Sequence, residues 1–165
     1  MTDIDRTPPD FGRALTMGVA LVAVFVAAYA GPSTVLLALA GVLSIAIGIL
    51  RGRRVAVTLG AGVLFVALLL AGVSGLSIPL TLFGIGATVL AWDVGENAIG
   101  LGEQLGRNAP TKRAQLVHAG GSVAVVALVG VLGYVVYLMA MTTNSLTALV
   151  LLLIGALVLT SVLRG

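Results

Sequence analysis

The sequence predicts an all-α integral membrane bundle of six transmembrane helices, arranged as three hairpins, with an amphipathic connector between the fourth and fifth helices. Three observations carry that prediction. Mean hydropathy is +1.19 and only 9% of residues are charged, against about 25% in an ordinary soluble domain, which is too few to cover a surface facing water. Six apolar runs can be marked, each near the roughly 17–25 residues that cross a bilayer as a helix. Every charged residue lies in the N-terminal tail, in "RGRR", between Asp93 and Arg113, or at Arg164, so six crossings bring all of them to one side.

In order, the runs are Ala14–Ala30, Ser33–Leu50, Val55–Ser74, Leu76–Trp92, Gly120–Met141 and Ser145–Leu163. Their abundant Leu, Val and Ile favour insertion by about 0.3–0.6 kcal/mol each near a helix centre. They lack the period-two alternation of an outer-membrane barrel strand. The first run follows a tail, residues 1–13, and competes with a cleavable signal peptide, because Arg6 and Arg13 precede an apolar stretch ending in "AYA". Its length, and the direct passage through "GPST" into the second run, favour a retained span. "GPST", "GVSGLS" and "MTTNS" join the paired runs without a charge. Pro79 stands in the first turn of the fourth helix, where its missing N–H costs little. Residues 14–92 thus hold four spans and residues 120–165 two, with a short C-terminal end.

Lys and Arg are retained on the cytoplasmic side of membrane proteins, which predicts a cell-membrane protein with both termini cytoplasmic. Tyr29, Tyr134 and Tyr137 fall toward the outer ends of spans and Trp92 at an inner end, as interfacial belt residues do. A basic residue precedes each predicted hairpin, at Arg13, Arg54 and Arg113. The second helix of each carries Leu-x-Gly, at Leu39/Gly41, Leu82/Gly84 and Leu153/Gly155. An old triplication and the coincidence of two common residues both account for this. The small-xxx-small pairs Ser44/Gly48, Ala14/Gly18 and Ala156/Thr160 would let backbones approach where lipid supplies no hydrophobic drive between helices.

No Asp, Glu, Lys or Arg falls in the middle of a run, which argues against an ion pump or a proton-coupled carrier. The hydroxyls Thr58, Thr81, Thr88 and Ser122 are expected to bond between helices or back to their own helix. Without cysteine, disulfides and thiolate sites are excluded. The pI near 10.0 reflects orientation, since no basic block interleaved with aromatics points to nucleic acid.

Residues 93–119 form the polar connector. Asp93, Glu96, Asn97, Gly100, Gln104 and Arg107 recur at helical spacing, and Val94, Ala98, Leu101 and Leu105 occupy another face. This predicts an amphipathic helix that continues the fourth span or lies along the interface, with Glu103 and Arg107 as an i,i+4 pair. Asn108 is the expected N-cap of the next helix. Gly95, Gly100, Gly102 and Gly106 cost helix stability and suggest close approach or a hinge.

Chemistry has little to work with here. Asp93 and Glu96 could share a proton or bind a cation, and His118 is expected to be a hydrogen-bonded packing residue. "GLGEQLG" misses the G-x-G-x-x-G spacing, zinc would lack ligands, and no nucleophile–base pattern is present. No cofactor and no enzyme activity are expected. The candidate partner-docking residues are Asp93, Glu96, Asn97, Glu103, Gln104, Arg107 and His118. Arg51, Arg53, Arg54, Lys112 and Arg113 are candidates for lipid headgroups.

At "AWDVGENAIGLGEQLGRNAPTKRAQLVHAGG" the chain resembles small multi-pass haloarchaeal membrane proteins of unassigned function. Such proteins stand beside MoxR-type ATPases and their von Willebrand-like partners. The resemblance implies an accessory component in assembly of envelope complexes, with no catalytic residues to carry over. The function expected is a non-enzymatic membrane scaffold or assembly partner; the alternatives are a transporter or channel for a small neutral or apolar solute, and an interfacial enzyme at Asp93, Glu96 or His118.

Overall fold

The computed structural model describes residues 5–142, all of whose regular structure is helical. Five helices are present: α1 (Asp10–Ala28), α2 (Pro32–Arg51), α3 (Arg54–Val73), α4 (Ile78–Leu105) and α5 (Lys112–Thr142). Each is long and apolar enough to cross a membrane. The sixth apolar run Ser145–Leu163, with Leu153/Gly155 and Ala156/Thr160, lies outside the described residues.

Local chemistry sets the breaks. After α1, Gly31 adopts φ +126°, which a side chain would resist, and Pro32 opens α2 with its φ already helical. The Thr34 hydroxyl donates to the carbonyls of Ala27 (2.9 Å) and Gly31 (2.7 Å), tying that turn down. Gly52 ends α2 in the left-handed conformation, with its N–H on the Gly48 carbonyl. Pro79 lies in the first turn of α4, as its position in the sequence predicts.

The described residues fall into two units, divided after Leu128. In the described part of the second unit α5 runs on to Thr142, and Tyr134 stacks on Tyr137 with ring centroids 6.4 Å apart. In the first unit α1–α4 form a closed bundle. Each of the four packs on its sequence neighbours among them, α4 returns to α1, and the diagonals touch least. The most extensive pairs are α2 with α3 and α1 with α4. The expected hairpins paired α1 with α2 and α3 with α4; these pairs touch, but the tightest seams lie elsewhere because they follow the small residues.

The bundle is small inside and large outside. Its core runs through Ala20, Ala23, Ala27, Ala38, Ala61, Ala67, Leu64 and Leu68, while Phe25, Leu36 and Val73 are 64%, 69% and 87% exposed. Water would not tolerate that arrangement, whereas lipid favours close backbones over bulky interfaces. Ser44 and Gly48 lie on the α2–α3 seam, where Ser44 Oγ donates to the Ala56 carbonyl at 2.9 Å. Ala14 and Gly18, in contrast, are exposed, and nothing lies within 4 Å of a Cβ placed at Gly18. Identical spacing therefore marks packing in one helix and an outer face in the other.

The polar connector is not a separate surface-lying element. α4 runs unbroken for 28 residues, about 42 Å at 1.5 Å per residue, well past a hydrocarbon core of roughly 30 Å. It has no reason to stop at Trp92, because Val94, Gly95, Ala98, Ile99 and Gly102 stay buried. Ile49, Val57, Ala98 and Ile99 form a second small core there. The helix ends where Gly106 takes φ +80°. α5 starts at Lys112, beyond the expected Asn108 cap: the Gln115 N–H donates to the Thr111 carbonyl, and Gln115 Nε2 to Thr111 Oγ1 at 2.8 Å.

Candidate functional site

The N-terminal tail, the α2–α3 turn, the end of α4 and the start of α5 meet at one end of the bundle, which collects the described charges. Pro8 is fully buried there. A Cβ at Gly102 would lie 2.5 Å from the Thr7 carbonyl oxygen and 2.9 Å from Pro8 N, so only glycine lets the tail lie on α4. Gly12 serves α1 in the same way, facing Ala98 and Gln115.

Arg54, the first residue of α3, is the hub of one ionic cluster. Its Nη1 donates to Glu96 at 2.7 Å and its Nη2 to Glu103 at 2.8 Å. These carboxylates stand two turns apart on α4 with Gly100 between them, and a Cβ at Gly100 would come 3.3 Å from Arg54 Nη2. The guanidinium thus lies over the glycine and gives one nitrogen to each acid. Trp92 Nε1 donates to Thr58 Oγ1 at 3.2 Å, and Thr58 reaches Glu96 at 3.5 Å, extending the cluster along α3.

Arg107 anchors the tail. Its guanidinium lies 2.8 Å from Asp10 and 3.5 Å from Asp5, and its backbone N–H donates to the Asp5 carbonyl. Hydrogen bonds from the Thr7 hydroxyl and N–H, with the Arg107 charge behind them, hold the Asp5 carboxyl below its ordinary 3.8. Because the folded value is the lower one, this anchoring is present above the ordinary value and is lost as pH falls through the depressed one. The Thr7 amide resonance is expected to titrate with a midpoint below 3.8, and Asp5→Asn should remove the transition from an NMR pH series.

Asp93 belongs to a third cluster, with α5. Ser122 Oγ donates to Asp93 Oδ2, and His118 Nε2 lies 2.8 Å from the same oxygen, off its N–H axis and so without a hydrogen bond. Asp93 turns to α5 while Glu96 turns to α3, so the two carboxylates that could have shared a proton or cation have different partners. The Ser122 proton faces the Asp93 carboxylate and not the imidazole, so the three side chains do not stand in the Ser–His–Asp order of a hydrolase triad. Among the described residues no group of three or more His, Asp or Glu side chains is placed to hold a metal ion.

The predicted site residues therefore separate. Glu103 and Arg107 do not pair, because the chain leaves the helix at Gly106 and each finds a partner elsewhere. Asn97 is half-buried and Gln104 exposed. Arg54, expected at lipid headgroups, is occupied by two carboxylates. Arg51, Arg53 and Arg113 are exposed, and Lys112 lies over the Phe11 ring at 5.3 Å. Thr58, Thr81, Thr88 and Ser122 do bond as expected: Thr88 to a carbonyl of its own helix, Thr81 to that of Ser77 at the helix cap, the others between helices. Asp5, Asp10 and the buried Gln115 were missed, and no sequence signal tied them to residues so far along the chain.

No curated protein and no solved structure matches the chain. Over residues 6–160 it matches a family of unknown function, DUF7519, and the chain belongs to that family.

Proposed function

We propose that the protein is a non-enzymatic scaffold or accessory component of the cell membrane. In this reading it has six spans, the sixth being Ser145–Leu163, and both termini lie on the cytoplasmic side. One observation carries it. The tail, the α2–α3 turn and the end of α4 are joined by ion pairs and glycine contacts into a polar plate, rimmed by the exposed cations Arg51, Arg53 and Arg113. These three make no ion pair among the described residues. A plate rimmed by exposed cations suits contact with anionic headgroups and with an acidic surface of a membrane or cytosolic protein. The haloarchaeal resemblance adds the MoxR-type ATPase system as the class of partner.

A conduit for a small neutral or apolar solute is the competing reading. It finds less support, because Ala23, Leu64 and Leu68 are fully buried in the bundle core and Ala87 is 6% exposed. The test uses the rim and spares Glu96, Glu103 and Arg107, whose reversal would disrupt the plate itself. Arg51, Arg53 and Arg113 are changed together to Gln, and crosslinked complexes are purified from native membranes. The triple variant should lose the protein partner captured by the wild type while melting at the same temperature. Equal recovery of every partner would count against a docking role.

A further inference from the structure

A groove of about 420 Å³ runs between α4 and α5, within the roughly 300–1,000 Å³ of small-molecule sites. It is polar at one end and apolar at the other. Asp93, His118 and Ser122 lie toward the charged end of the bundle, and Val89, Val125 and Val126 lie further along both helices toward the middle of the spans. Val117 and Val125 on its α5 wall are 70% and 61% exposed, so no described residue closes the groove on that side.

Its acidic group lacks the Arg partner that the other described carboxylates have, with only the His118 imidazole at 2.8 Å. Asp5 and Asp10 share Arg107, and Glu96 and Glu103 share Arg54. Asp93 is the one carboxylate among the described residues with neither Arg nor Lys beside it. Its Oδ2 accepts from Ser122 and faces His118, and its Oδ1 has no donor among the described residues. Half-exposed Trp92 stands at the lip, with its indole N–H turned away to Thr58. We propose that this groove is a binding site for a single-chain amphiphile with an ammonium head, the head on Asp93 and the chain along Val89, Val125 and Val126. An acid head would meet Asp93 as a like charge. A hydroxyl could donate to Oδ1 but would bring no positive charge to the carboxylate.

The full chain in phosphatidylcholine vesicles is photolabelled with a diazirine derivative of dodecylamine, and labelled residues are mapped by mass spectrometry. Labels should concentrate on α4 and α5 around Val89 and Val126. Unlabelled dodecylamine should compete at concentrations about tenfold lower than dodecanoate. Asp93→Asn keeps an acceptor for Ser122 and should bring the two competitors within about threefold of each other. Val126→Trp fills the apolar end without touching the charge and should suppress labelling altogether. Labels spread evenly over all lipid-facing helices overturn the site, as does equal competition by amine and acid. An unchanged Asp93→Asn variant, or efficient crosslinking of a cysteine at Val125 to the run Ser145–Leu163 in place of the probe, overturns it too. Each readout is independent of the docking role, since none of these changes touches the basic rim.

Discussion

Gly60→Val is expected to part α2 from α3 and to lower the stability of the bundle by about 1–3 kcal/mol, the usual cost of overpacking. A Cβ at Gly60 would lie 2.6 Å from the Gly41 carbonyl oxygen and 2.7 Å from Ile45 N. At Gly41 it would meet Gly60 O at 2.8 Å and Leu64 N at 2.9 Å. These are backbone atoms on both sides, so no side chain can rotate away and the helices themselves must separate. Separation also weakens the Ser44–Ala56 hydrogen bond and the contact at Gly48, where a Cβ would lie 2.7 Å from Val57 N. Gly18→Val and Gly62→Val, with nothing within 4 Å, serve as controls for the cost of valine in a helix. Unfolding titrations in mixed micelles should rank Gly60→Val well below both controls. The double change at Gly41 and Gly60 should cost less than the sum of the singles, since one clash already opens the seam. Equal midpoints for Gly60→Val and Gly18→Val would mean that this seam is not what holds the helices together.

Arg54→Leu should be the most damaging removal of a single charge at the charged end, yet smaller than the glycine clash. It removes two charge-assisted bonds and leaves Glu96 and Glu103 on one face of α4 with no cation between them. The Arg54 side chain is 44% exposed and that of Glu103 50%, so solvent screens the loss to about 1 kcal/mol, short of the penalty for a buried pair. Glu96, whose side chain is only 21% exposed, should carry more of it than Glu103. Arg54→Lys should recover part of the stability, because an ammonium cannot hold two separated carboxylates as a guanidinium fork does. Thermal melts at low and high salt check the argument: the gap between wild type and Arg54→Leu should narrow as salt rises. A gap indifferent to salt would assign the effect to lost packing.

Much of the fold was legible before any coordinates. The first four apolar runs match helices to within a few residues, save that α4 continues past Trp92. That continuation was visible in the spacing of Val94 and Ala98, since a helical apolar face extends beyond the span. What the pattern concealed was its destination. Leu105 is exposed while the glycines Gly95 and Gly102 are buried, because contact with α1, α3 and the tail selects small residues there. Hydropathy gives glycine no weight, and Gly18 and Gly60 look alike in the chain although one faces outward and the other meets a backbone. The ionic clusters were hidden for a similar reason. Arg54 and Glu103 are 49 residues apart, and Arg107 and Asp10 are 97 apart.

By itself the sequence determined which segments are apolar enough to cross a membrane and that charge is confined to alternate connections. Those are sums of solvation costs, and each residue contributes its cost whatever its neighbours. Only the tertiary structure decided that α2 seats on α3 and α4 closes on α1, that Arg54 bridges two glutamates, and that Asp93 is left facing a groove. Packing and ion pairing are properties of pairs. In a chain whose helices are all alike in greasiness, the partners are chosen by where two backbones can touch.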